Sequence, residues 1–177
     1  MQRLSKGVYI GLPIVLTVLG TILYGIGVAK MHESQKPPCF LLFLAVAMLL
    51  GGAIIMYVML YKLWQAIQGP AARTTPGKAV GFMFIPFFNI YWQFMAVWGW
   101  AKDYNALIDQ RGLAMPRAKE SLALTALILN LIPCANFVAP IFLFIFFANA
   151  IDCYNALISL PPAATPVALP PYPPPQA

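Results

Sequence analysis

From Gly7 to Ala29 the chain runs through 23 residues without a charged side chain, and from Phe40 to Tyr61 through another 22. No other feature narrows the choice of fold so far. The hydrocarbon layer of a bilayer is about 30 Å thick and is crossed by roughly 20 apolar residues in a helix. With no water there to satisfy backbone N–H and C=O groups, only helices and closed barrels cross it. Composition agrees: 61% of the residues are hydrophobic and 9% charged, against about 25% charged in soluble domains. The expected class is therefore all-α, a polytopic membrane helical bundle. Gly27-Val28-Ala29 resembles a small-residue cleavage site, but the run before it exceeds the roughly 7–15 apolar residues of a signal-peptide core.

In chain order, about four transmembrane helices are expected, near residues 7–29, 40–64, 79–103 and 121–150, forming one domain over 1–160. Gly7 and Gly11 make a Gly-x-x-x-Gly pair of the kind that lets helices approach closely. The only histidine, His32, falls in a polar loop. Cys39, Cys134 and Cys153 have no metal-ligand or redox spacing. Residues 161–177 are a different material: eight of the 17 are proline, so a disordered, polyproline-like tail is expected. Within it Leu169-Pro170-Pro171-Tyr172 resembles a ligand for an aromatic-lined groove. The net charge of +6 is carried by scattered bases at helix ends, without the cluster that tracking a nucleic-acid backbone requires. Four crossings place five Lys/Arg on one side and six on the other, a balance that leaves orientation open under the positive-inside rule. The acidic residues Glu33, Asp103, Asp109 and Glu120 share the second side, and both termini are accordingly expected in the cytoplasm.

Two Pro-x-x-Asn breaks interrupt the later apolar segments. Pro86 and Asn89 lie in IPFFN, followed by AKDYNALI, and Pro133 and Asn136 lie in IPCAN, followed by AIDCYNALI. A proline inside a helix removes one hydrogen bond and frees a carbonyl one turn earlier. Kinks in the third and fourth spans are therefore expected. Since consecutive spans run antiparallel, the two copies form an expected inverted repeat, whose breaks either bond helix to helix or line a solute path. Asp103, Asn105, Asp152 and Asn155 are expected as polar residues at helix ends.

The stretch from Trp64 to Trp98 resembles an uncharacterised bacterial four-helix membrane-protein family, a domain of unknown function. The resemblance is carried by Thr75, Pro76, Gly77, Ala79, Val80, Gly81, Phe84, Pro86 and Asn89. It covers about a fifth of the chain and implies a four-span protein of a bacterial inner membrane, with no activity attached. The Asp152-to-Ala156 pattern is similar to relatives of that family as well.

The functional expectation is a non-enzymatic scaffold or accessory subunit in the lipid bilayer, working as a homo-oligomer or with other membrane subunits. The alternative is a small oligomeric transporter or channel that uses the paired breaks. No cofactor, metal or nucleic acid is expected: the sequence lacks His-Glu-x-x-His, Gly-x-Ser-x-Gly and phosphate-loop patterns.

Overall fold

The structure, a computed structural model, describes residues 2–33, 39–69, 72–135 and 138–160, with His32 and Glu33 as backbone only. Every regular element among them is helical. A π-turn over Gly7–Gly11 leads into α1 (Leu12–Glu33), and α2 is Cys39–Ala66. Next come α3 (Pro76–Gly81), a 3-10 turn at Phe82–Phe84, α4 (Phe88–Gln93), a π-turn at Phe94–Trp98, and α5 (Gly99–Gln110). The chain closes with α6 (Glu120–Leu131), a 3-10 turn at Pro133–Ala135, and α7 (Ala139–Ile158). Three helices are long and apolar enough to cross a membrane: Gly7–Met31, Cys39–Ala66 and Ala139–Ile158.

The first two form an antiparallel hairpin held by small residues. A Cβ added at Gly20 would lie 3.1 Å from the Ala45 carbonyl oxygen and 3.0 Å from Leu49 Cγ. Gly52 faces Pro13 and Thr17 in the same manner. The Gly7/Gly11 pair, a spacing common by chance in Gly-rich spans, takes no part, since a Cβ at Gly11 meets nothing within 4 Å. In lipid, helices associate through packing and hydrogen bonds rather than by escaping water, so close backbone approach is what holds such a pair. We expect Gly20→Val to destabilise the protein by about 1–3 kcal/mol through overpacking, and Gly11→Val to be neutral. Thermal unfolding of the two variants in detergent checks the contrast.

The segments expected as continuous third and fourth spans are not continuous. Each is a hairpin. The residue before each proline is driven out of the helical region by the proline ring: Ile85 sits at φ −83°, ψ 115° and Ile132 at φ −94°, ψ 113°. After Pro86 the chain turns through Phe87 at φ +62°, left-handed backbone that is uncommon for a non-glycine residue. Its direction then reverses. Trp92 Nε1 donates to the Ala79 carbonyl at 3.0 Å, whereas thirteen residues of straight helix would separate the two by about 20 Å. Phe82 packs edge-on to Trp92 with ring centroids 4.8 Å apart. Farther down, Arg73 meets Asp103.

The third hairpin repeats the design. The Lys119 amide donates to Asn149 Oδ1 at 2.8 Å, which sets the foot of α6 beside α7. Thus a kink at each proline is corrected to a reversal. The inverted repeat is corrected as well. Trp100 faces Phe146 and Tyr104 faces Cys153, so α4–α5 and α7 run parallel.

All three hairpins have their feet at one end, and two are short. Tyr57, partway up α2, packs on Phe84 at the tip of the second hairpin, 5.1 Å between ring centroids. Below that level the inner face of α2 is covered, with Leu63 and Trp64 0% exposed, while Tyr61 on the other face is 43% exposed. Above it α2 packs along α1, and Phe40 and Phe43 are 75% and 74% exposed.

Candidate functional site

Two places gather the chain's polar side chains, one at the feet of the hairpins and one at their tips. At the feet, the repeated Tyr-Asn dipeptides each clasp a piece of extended chain. Asn105 Oδ1 accepts from the Ala118 N–H at 2.9 Å, and its Nδ2 donates to the Ala118 carbonyl at 2.9 Å. Asn155 treats Leu4 identically, accepting from its N–H at 2.7 Å and donating to its carbonyl at 2.8 Å.

The tyrosines extend the parallel. Tyr104 donates to the Pro116 carbonyl at 3.0 Å and Tyr154 to the Gln2 carbonyl at 3.3 Å, in each case two residues before the clasped one. Each asparagine thereby serves a backbone donor and acceptor of an extended segment, the Ala118 carbonyl accepting from the Glu120 N–H as well, at 3.0 Å. Burial pushes the Tyr104 phenol well above its ordinary range, so it stays protonated and keeps donating across the pH range in which the chain is handled.

Both clasped segments lead into helical hairpins, and they share a pattern: Gln2-Arg3-Leu4 and Pro116-Arg117-Ala118. This x-Arg-apolar repeat was the available sequence signal. It is too short to single out unless the Tyr-Asn repeat is already known to bind it.

The aspartates flank the clasps. Asp103, with a side chain only 9% exposed, takes the Arg73 Nε at 2.8 Å and the Arg73 N–H at 3.1 Å. Asp152, half exposed, pairs with Lys6 at 2.7 Å. Exposed pairs of the latter kind contribute about 0–1 kcal/mol. Breaking an enclosed, doubly bonded pair such as Arg73–Asp103 costs more, because the carboxylate is left without a partner away from water. Asp103, Asn105, Asp152 and Asn155 are thus joints between elements. Two buried indoles are pegs of the same kind: that of Trp64 donates to the Ala96 carbonyl at 2.8 Å and that of Trp100 to the Leu63 carbonyl at 2.9 Å.

At the tips, a cavity of about 360 Å³ lies between the α1–α2 hairpin and the two shorter ones. Its lining is mostly apolar, with Thr17, Asn89, Gln93 and Asn130 supplying the polar groups. Asn130 Nδ2 lies 3.5 Å from Gln93 Oε1, a long bond. Of the expected break residues, Asn89 reaches this cavity, while Pro86 and Pro133 are exposed at the turns. Asn136 and the tail residues Leu169, Pro170, Pro171 and Tyr172 lie outside the described residues. Gln93 and Asn130 were not singled out from sequence, because a lone amide in an apolar run shows no periodicity.

Among the described residues no group of three His, Cys, Asp or Glu side chains is placed to hold a metal ion. Cys39 and Cys134 are exposed and Cys153 is buried. No protein-family model, curated protein or solved structure is matched by the chain.

Proposed function

We propose that the protein is a non-enzymatic membrane scaffold or accessory subunit, anchored by α1–α2 and carrying two hairpins on one face of the bilayer. The observation behind this reading is where the polar side chains are spent. Asp103, Asn105, Asp152 and Asn155 join one element to another, as a rigid platform requires and a reacting centre does not.

In this reading four crossings become two. A hairpin that enters and leaves on the same face adds no crossing. Although Ala139–Ile158 has the length to cross, only the part from Ala139 to Asn149, about 15 Å at 1.5 Å per residue, rises above the foot of α6. The count of basic residues then changes. Arg3, Lys6, Lys62, Arg73, Lys78, Lys102, Arg111, Arg117 and Lys119 share the face of the hairpin feet, and Lys30 and Lys36 take the other. Nine against two assigns the feet, with the segments leading to both termini, to the cytoplasmic side. The resemblance over Trp64–Trp98 supplies the setting, the plasma membrane of a bacterium.

The tip cavity favours a second reading, an oligomeric transporter whose path is lined by Asn89, Gln93 and Asn130. Amides in hydrocarbon are costly without partners, and a hydrated path would supply them. Single cysteines replacing Asn89 and Asn130 separate the readings. The scaffold requires both to be protected from an impermeant thiol reagent in intact membranes, and the purified protein to pass no solute in liposomes. Labelling from one side together with flux establishes the transporter.

A further inference from the structure

The protein places very different amounts of mass in the two leaflets. At the cytoplasmic level six helical segments stand side by side: α1, α2, α3, α4–α5, α6 and α7. Above the tips, among the described residues, only α1 and α2 continue, and the exposure profile of α2 marks the level of the change. A helix with its side chains is about 10–12 Å across, so four extra helices add roughly 300–450 Å² to one side of the cross-section.

The side chains at the tips show that this mass sits in lipid rather than above it. Phe84, Ile85, Phe87, Ile132 and Val138 are all exposed, Phe87 to 88%. Such a concentration of apolar side chains at one level is costly in water and favourable in acyl chains. The opposite ends of the same hairpins carry Arg73, Asp103, Asp109, Arg117 and Asp152, which remain with the headgroups and water. Penetration is therefore limited at both ends. The tips cannot extend past the level of Tyr57, and the feet cannot follow them in.

We infer that the protein is a one-leaflet wedge, a membrane inclusion that seeks and stabilises curvature convex toward its cytoplasmic face. Its partner is the lipid surface itself. Inserting area into one leaflet without matching it in the other is relieved when the membrane bends toward the crowded side. The inference deepens the scaffold reading and rests on its topology.

The test uses the full-length protein, labelled with a fluorophore and reconstituted in giant vesicles of phosphatidylcholine with a minor fraction of phosphatidylglycerol. The hairpin feet face outward, and thin tethers are drawn from the vesicles. The ratio of protein to lipid dye is expected to be severalfold higher in the tether than on the flat membrane, and to rise as the tether narrows. Phe87→Asp, which makes burial of a tip costly, should bring the ratio back toward unity, and Phe87→Leu should retain the enrichment.

A parent ratio of one, or depletion at all radii, overturns the wedge. In the same vesicles, impermeant thiol labelling of Ser5→Cys and Ala114→Cys locates the fault. Labelling on one face with a ratio of one removes the wedge and leaves the scaffold topology standing. Labelling on opposite faces removes both.

Discussion

A cysteine at Ala114 is expected to react from the same side of the membrane as one at Ser5, and a cysteine at Met31 only from the other. The outcome is all or none, since a membrane-impermeant reagent either reaches a thiol or does not. Four crossings predict a different grouping, with Ala114 sharing the side of Met31. The reversals at Pro86 and Pro133 bring the Leu113–Lys119 connection back to the N-terminal segment. There Tyr104 holds Pro116, while Tyr154, a few residues along the parallel helix, holds Gln2. Ser5, Met31 and Ala114 are all exposed, so reagent access is governed by the bilayer and not by packing. A suitable background replaces the exposed Cys39 and Cys134 with serine and keeps Cys153, which is fully buried. Reaction of Ala114→Cys from the Met31 side would show that the second hairpin crosses, and the nine-to-two charge assignment would go with it.

The second expectation concerns the clasps. Asn105→Leu should destabilise the protein by roughly 1–3 kcal/mol, the cost of a buried donor left without a partner: the Ala118 N–H would be stranded, while the Ala118 carbonyl keeps the Glu120 N–H at 3.0 Å. Asn105 is 7% exposed and also donates to Glu120 at 2.7 Å, so water has no ready route in to compensate. Asn155→Leu should cost less, about 1–2 kcal/mol, because its bonds to Leu4 are only partly buried and the freed segment can reach water. Unfolding in detergent followed by the fluorescence of Trp64 and Trp100, both enclosed beside the clasps, reads the two variants. Equal stability of the parent and Asn105→Leu would mean that the clasp does not hold the second and third hairpins together.

The two clasps also show why some of the site was legible and some was not. The Tyr-Asn-Ala-Leu-Ile repeat is visible in the chain, and its asparagines lie within α5 and α7, Asn105 in the middle of α5 and Asn155 in the last turns of α7. Their partners, Ala118 and Leu4, are ordinary residues in extended segments. They are chosen by proximity, 13 residues away in one case and 151 in the other, and no local pattern encodes such a pairing.

The prolines divide in the same way. That a helix must stop near Pro86 and near Pro133 follows from ring geometry alone: the missing N–H and the extended residue before each proline are local facts. Whether the chain then continues onward or doubles back is not a local fact, because an extended residue begins a kink and a reversal alike. The choice falls to contacts made after the turn, with the Trp92 indole finding the Ala79 carbonyl and Asn149 finding the Lys119 amide.

What the amino-acid order determined, then, is the helical class, the two long apolar helices α1 and α2, each fit by length and composition to cross a membrane, and the positions of the breaks. Each is a property of a run of residues or of one ring on its own backbone. The reversal at each proline and the parallel course of the two repeats were decided by tertiary structure, since each depends on the direction in which the chain leaves two turns.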